Sequence, residues 1–268
     1  MLDQQAQSLW DAALNSSTKK TYKSALLCFI NFMNMNGVQC SMDFLPNITE
    51  DHLIYFSTHC RIKKLKYDTI KLYLAGIRYY YLRAEHYDPT EKTERLTYIM
   101  RGIKKSQVNI PKNRLPITAK VLKQLCNLLA DGVFSPFIDL MLQCAFETAF
   151  FGFLRCGEFT CRVKDAYSEF LTIADIAFVH EPSLHYVVTL ETSKTDPFRK
   201  GINININDND SFTPVETMQK YLAKRRQMGA TFDSPLFVES ELDFKPLSRE
   251  TFISSLRELL TRLGYNEN

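Results

Sequence analysis

From Phe134 to Leu154 the chain is almost wholly apolar, broken among charged and large polar residues only by Asp139, Gln143 and Glu147, and it then meets Arg155 and Glu158. A run of that length and composition predicts a helix buried on most sides, the centre of a domain core. An arginine closing such a helix, with a glutamate three residues on, puts charge where burial makes it costly unless a partner or a ligand meets it. The ligand expected for a guanidinium in that position is a phosphate, whose oxygens match its two-pronged donor set. Ser193-Lys194-Thr195-Asp196 follows in a strand-turn context and supplies a second cation. An ordinary salt bridge ending a helix, and a solvated hairpin tip, are the alternatives for these two elements.

Upstream, Ser16-Ser17-Thr18 predicts the N-terminus of a helix reaching about Asn36, with Tyr22, Ala25, Leu26, Phe29, Ile30 and Met33 along one stripe and Gly37 ending it. A second helix is expected from the cap Thr49, with Glu50 and Asp51 favourable at its positive end, carrying Leu53, Ile54 and Phe56 inward. A third runs from about Asp68 to Ala84 with Ile70, Leu74, Ile77 and Tyr81 inside, and a fourth from about Glu91 to Lys105. These four helices make one compact unit over residues 1–107. The periodicity fails over 108–116, where two prolines flank Lys112, Asn113 and Arg114, an extended basic linker. Residues 117–268 form a second unit.

In that second unit, helices are expected over Ile117 to Leu129 and Ser135 to Leu154, then three segments of strand character, Phe170 to Val179, Leu184 to Thr192 and Gly201 to Asn207. Ile202, Ile204 and Ile206 alternate with asparagines, the period of a sheet with one buried face. Thr213-Pro214 opens a further helix to about Gln227, and Ser248 caps a last one to Leu263. The fold class expected is mainly α with a small antiparallel β-sheet.

Charge divides unevenly along the chain. Residues 1–115 hold 17 Lys/Arg against 10 Asp/Glu, and residues 116–268 hold 16 against 20. Most of the excess lies between Arg61 and Arg114, interleaved with Tyr67, Tyr73, Tyr79, Tyr80 and Tyr81, which suits a phosphate backbone and also suits a plain solvated face. The seven cysteines are odd in number, lack the paired short spacings of a metal site and sit mostly in apolar helical patterns; the five histidines form no cluster with them. They are read as reduced core thiols, with neither metal nor cofactor expected. No N-terminal stretch has the order of a signal peptide, and the long apolar run carries too many polar residues for a membrane span, so no membrane partner is expected.

The Leu154-Arg155-x-x-Glu158 segment, the later Lys194 turn and the order of helical unit, basic linker, apolar helix and strands resemble tyrosine recombinases of the integrase type, closest to those of eukaryotic retroelements and DNA transposons. The resemblance covers nearly the whole chain. It implies an N-terminal helical core-binding (SAM-like) domain and an α+β catalytic domain that clamp double-stranded DNA between them. It also implies catalytic roles for three residues. Arg155 would grip the non-bridging phosphate oxygens, Glu158 would orient Arg155, and Lys194 would protonate the departing 5′-oxygen. Lys63, Lys64, Lys66, Lys71, Arg78, Arg101, Lys104, Lys105, Lys112, Arg114, Arg199 and Lys200 are the candidate DNA-backbone contacts.

The family's reaction also needs a His-x-x-Arg box and a later tyrosine nucleophile, neither of which these 268 residues contain. Thr261 to Asn268 resembles the approach to that box, so Tyr265 stands on the wrong side of it to be the nucleophile. The expectation is a chain truncated before its second catalytic box, inactive alone in site-specific recombination or DNA integration. The alternatives are a catalytically inactive recombinase-derived DNA-binding module and a helical protein–protein adaptor. Assembly as a homo-oligomer on DNA, and residence in the nucleus, follow as expectations from the DNA partner.

Overall fold

The computed structural model describes residues 1–84, 87–107, 116–161, 170–191 and 201–265, the side chain of Asp3 excepted. The chain divides into two compact units, Met1–Pro111 and Lys112–Asn268.

The first unit is helical: α1 (Leu2–Ala12), α2 (Ser16–Met35), α3 (Glu50–Ile62), α4 (Tyr67–Arg83) and α5 (Glu94–Ser106). The last four correspond to the helices expected from sequence. The cap of α2 is Asn15 rather than the serines after it, since its side-chain oxygen accepts from the Thr18 amide at 2.8 Å. Gly37, at φ 77°, turns the chain out of the helix. The stripe residues Leu26, Phe29 and Met33 are fully buried with Leu53, Phe56, Ile70, Ile77 and Tyr81. Phe29 meets Phe56 edge-on at 5.2 Å. α1 has no counterpart in the sequence reading because it lacks an inward stripe, with Leu2 and Leu9 both exposed. Two contacts hold it instead: Trp10 packs on Tyr79 at 5.9 Å, and Asp11 pairs with Arg83 at 3.0 Å.

The second unit places α6 (Ala119–Ala130), α7 (Pro136–Phe151), the short α8 (Cys156–Phe159), α9 (Pro214–Gln227) and α10 (Arg249–Arg262) around a three-stranded antiparallel sheet. The strands are β1 (Ile176–Val179), β2 (His185–Leu190) and β3 (Ile202–Asn207), in the order β1-β2-β3. Fold class is therefore mainly α with a small antiparallel sheet, as the sequence predicts. The first strand is shorter than expected. Residues 171–173 leave the sheet and bond to 234–236, with the Leu236 amide on the Leu171 carbonyl at 2.7 Å. Asp175 then accepts from the Thr172 amide and hydroxyl, closing a turn of 3₁₀ helix before the ladder starts at Ile176. The asparagine–isoleucine alternation of β3 buries Ile206 fully and leaves Ile202 at the sheet's open end. Ser248 caps α10 through the Thr251 amide, as expected. Five of the seven cysteines are buried, and none of the seven is in a disulfide. No helix of the described residues is long and apolar enough to cross a membrane.

Candidate functional site

Arg155 does not close the apolar helix. α7 ends at Phe151, three residues earlier than the sequence suggests, in a reversal that returns the Leu154 amide to the Ala149 carbonyl at 2.9 Å and the Phe153 amide to Phe150. This is the bonding of a Schellman cap. Its left-handed position is held by Phe153 at φ 50°, whose side chain is 92% exposed. The reversal is tight, since a Cβ on Gly152 would lie 2.8 Å from the Thr148 carbonyl oxygen. Arg155 emerges from it as the N-cap of α8, a separate helix of four residues.

Glu158 fixes the arginine at both ends. One carboxylate oxygen accepts from the Arg155 backbone amide at 2.7 Å and the other from its guanidinium Nη1 at 3.0 Å, while the Glu158 amide donates to the Arg155 carbonyl. The Glu158 side chain is 11% exposed and that of Arg155 53%. The carboxylate thus works from the protein side, while about half of the Arg155 side chain stays exposed. The pairing is the one expected from sequence, at a helix start rather than a helix end. Beyond α8, Cys161 pairs in parallel with Ser248, its amide on the Leu247 carbonyl and its carbonyl receiving the Arg249 amide, both at 2.9 Å. The arginine-bearing element is therefore tied to the start of α10. Nothing in the local sequence signals this link, which joins two loops far apart in the chain.

Glu158 and Gly157 also line a cleft of about 240 Å³ with Leu171, Thr172 and Asp175, and with Thr189, Leu190 and Glu191 at the end of β2. Its lining carries three carboxylates, those of Glu158, Asp175 and Glu191. Leu190 pairs with Ile202, so residues 191–201 join β2 to β3 and Lys194 lies among them. Lys194, Arg199 and Lys200, and likewise Lys112 and Arg114 of the linker, lie outside the described residues.

In the first unit, Lys63, Lys64, Lys66, Lys71, Arg78, Arg101, Lys104 and Lys105 are all exposed. The structure brings one group of them together. The turn between α3 and α4, with Lys64 left-handed at φ 62°, is clamped to the end of α5 by Gln107, which receives the Tyr67 amide and donates to the Leu65 carbonyl, both at 2.9 Å. Lys104 lies over the Tyr67 ring at 5.4 Å, and Arg61 reaches Ser106 Oγ at 3.3 Å. Lys63, Lys64 and Lys66 thereby join Lys104 and Lys105 on one patch, with Arg61 as a member not singled out in the sequence. Arg101 stacks on Tyr98 at 5.5 Å. Arg78 stands apart, in an ion pair with Asp88 at 2.7 Å, so part of its charge is already met.

No family model and no curated protein matches this sequence. Among solved structures, XerH site-specific recombinase bound to its palindromic difH substrate, a post-cleavage complex, aligns over 93% of this chain with a TM-score of 0.61 at 14% identity. This chain spans 64% of the XerH chain. XerA recombinase aligns over 98% of this chain and 76% of its own, with a TM-score of 0.37 at 14% identity. The fold of this protein is thus a tyrosine-recombinase-like α+β fold, matching the XerH architecture.

Proposed function

We propose that this chain binds double-stranded DNA as a tyrosine-recombinase-type protein, with Arg155, Glu158 and Lys194 as its share of a phosphate site. The observation that most supports this is a recombinase-like fold carrying, just past its buried helix, a half-exposed arginine whose orientation a carboxylate has already fixed. A guanidinium held in this way loses little freedom when it takes two phosphate oxygens, and lysine could not reproduce its planar geometry. The basic patch of Lys63, Lys64, Lys66, Lys104 and Lys105 suits the neighbouring backbone, each neutralised phosphate releasing counterions.

Strand transfer demands more. A tyrosine oxygen must bond to phosphorus while the 5′-oxygen leaves and takes a proton, which Lys194 would deliver. The 268 residues hold no His-x-x-Arg box, and the hydroxyl of Tyr265 is committed to Gln124 Oε1 at 2.9 Å. Residues that act as one catalytic unit lose nearly everything when members are missing. The reading for these residues is therefore DNA binding with a partial phosphate site, cleavage belonging to a chain that also carries the box and the nucleophile. Assembly on DNA as a homo-oligomer, and a nuclear location in a nucleated cell, go with this reading.

Fluorescence anisotropy with a labelled duplex across a salt series tests it. Affinity is expected to fall linearly on a log–log plot, and Lys64→Glu with Lys104→Glu should weaken binding and flatten the slope by about 1 per lysine. No binding at low salt, or affinity indifferent to salt, overturns the proposal in favour of a helical adaptor.

A further inference from the structure

The basic patch of the first unit holds a hydroxyl among its cations. Ser106 is the last residue of α5 and is exposed. Its Oγ donates to the Ile103 carbonyl at 2.9 Å and accepts from Arg61 Nε at 3.3 Å, while Arg61 Nη2 reaches the Ser106 carbonyl at 3.5 Å. Lys104 and Lys105 precede it directly, and Gln107 after it clamps the turn that bears Lys63, Lys64 and Lys66. Ser106 also stands apart in the sequence. Of the chain's adjacent pairs of basic residues, only Lys19-Lys20 and Lys104-Lys105 are followed by a hydroxyl-bearing residue. Thr21, after the first pair, is half-buried in the second turn of α2, its hydroxyl bonded to the Ser17 carbonyl at 3.0 Å. Ser106 instead ends its helix, and Gln107 already runs extended at φ −96° and ψ 105°. An enzyme that reads preceding positive charge and takes an extended substrate reaches Ser106 by opening a single end turn, the part of a helix that opens most readily.

We propose that Ser106 is a phosphorylation site for a basophilic protein kinase and that its phosphate weakens the DNA contact, an inference that rests on the DNA-binding reading. Ser106 Oγ attacks the γ-phosphorus of a nucleoside triphosphate held by the kinase. The nucleoside diphosphate leaves with the electron pair of the broken bond, and the hydroxyl proton passes to the kinase's base. The product carries about −1.5 to −2 charges at neutral pH. Two effects then oppose each other. The C-terminus of α5, equivalent to about half a negative charge, repels the new group. Arg61, already bonded to the serine oxygen, and the neighbouring lysines attract it with full charges, and a guanidinium takes phosphate oxygens in charge-assisted bonds. The cations prevail, so the phosphate occupies groups that would otherwise meet DNA. Hydrolysis by a phosphatase, with water attacking phosphorus and the serine oxygen leaving protonated, restores the patch.

The full chain is treated with ATP and, in separate reactions, the catalytic subunit of cyclic-AMP-dependent kinase and protein kinase C, mapped by mass spectrometry, and titrated with labelled duplex across a salt series. Phosphate is expected at Ser106 and not at Thr21. With two cations taken, the log–log salt slope should become shallower by about 2 and affinity at 0.1 M salt should fall about 60-fold, two contacts of slope about 0.9 each. The denaturation midpoint followed through Trp10 should stay in place, which separates loss of contact from loss of fold. Ser106→Ala, treated in the same way, should keep the affinity it had before treatment. A chain with phosphoserine incorporated at position 106 during synthesis should reproduce both changes without a kinase. No phosphate at Ser106 from either kinase, or a phosphoserine at 106 that leaves slope and affinity unaltered on a chain that binds duplex, overturns this proposal alone. An unmodified chain that binds no duplex overturns the DNA-binding reading, and this proposal with it.

Discussion

Glu239 ties the segment between α9 and α10 to the start of α10. One carboxylate oxygen pairs with Lys245 Nζ at 2.6 Å, and the other accepts from Thr251 Oγ1 at 2.9 Å and the Ser248 amide at 3.3 Å. Burial alone would raise its pKa, but these bonds and the Lys245 charge outweigh burial and hold Glu239 down from 4.5 to about 2. At about 1.4 kcal/mol for each pKa unit, that depression corresponds to about 3 kcal/mol of folding stability. Lys245 is 53% exposed, so solvent screening reduces the figure to about 2 kcal/mol. A depressed carboxylate contributes fully above its unfolded pKa and loses the contribution as pH falls through the folded one. Glu239→Gln should therefore cost about 2 kcal/mol near neutral pH, with the gap to the parent shrinking below pH 4.5 and mostly gone by about pH 2. Scanning calorimetry of both proteins across that range measures it. A gap of equal size near pH 6 and pH 2.5 would show that shape rather than charge holds the loop, and no gap near pH 6 would refute the ion pair's contribution altogether.

Two further outcomes concern the first unit, whose unfolding can be followed through Trp10, the sole tryptophan of the chain. Lys64 is exposed and left-handed, so Lys64→Gly should relieve about 1 kcal/mol of backbone strain and shift denaturant unfolding upward, while lowering the DNA salt slope by about 1; a loss of stability would mean that the lysine's own contacts outweigh the strain. Gly76 sits where α4 passes α2, and an added Cβ would lie 2.9 Å from Ala25 Cβ and 3.1 Å from Tyr22 Cα. Gly76→Ala should thus cost about 1–3 kcal/mol in urea unfolding, despite alanine's better helix propensity; a more stable variant would show that the two helices can part freely.

The apolar stripes of α2, α3 and α4 were legible because each buried face repeats at the helical period, and Leu26, Leu53 and Ile77 lie inside as that period requires. Thr49, Ser135 and Ser248 were legible as helix starts, since a hydroxyl there satisfies an amide that the helix itself cannot. α1 was not, because it is held by single contacts through Trp10 and Asp11 rather than by a stripe. The end of α7 was misplaced for a related reason. Phe153 and Leu154 are apolar and extend the pattern, while the turn that stops the helix rests on Gly152 and on a left-handed Phe153, a conformation uncommon for phenylalanine.

By itself, the sequence determined the elements whose stability is local or periodic: the helices of the first unit, the β3 alternation and the Arg155–Glu158 pairing, whose partners lie three residues apart. Tertiary structure alone decided what depends on residues distant in the chain. The Gln107 clamp that gathers the lysines onto one patch and the Cys161–Ser248 bridge behind Arg155 both join atoms dozens of residues apart. Such contacts leave no period in the sequence, because their geometry exists only once the core has fixed where each element stands.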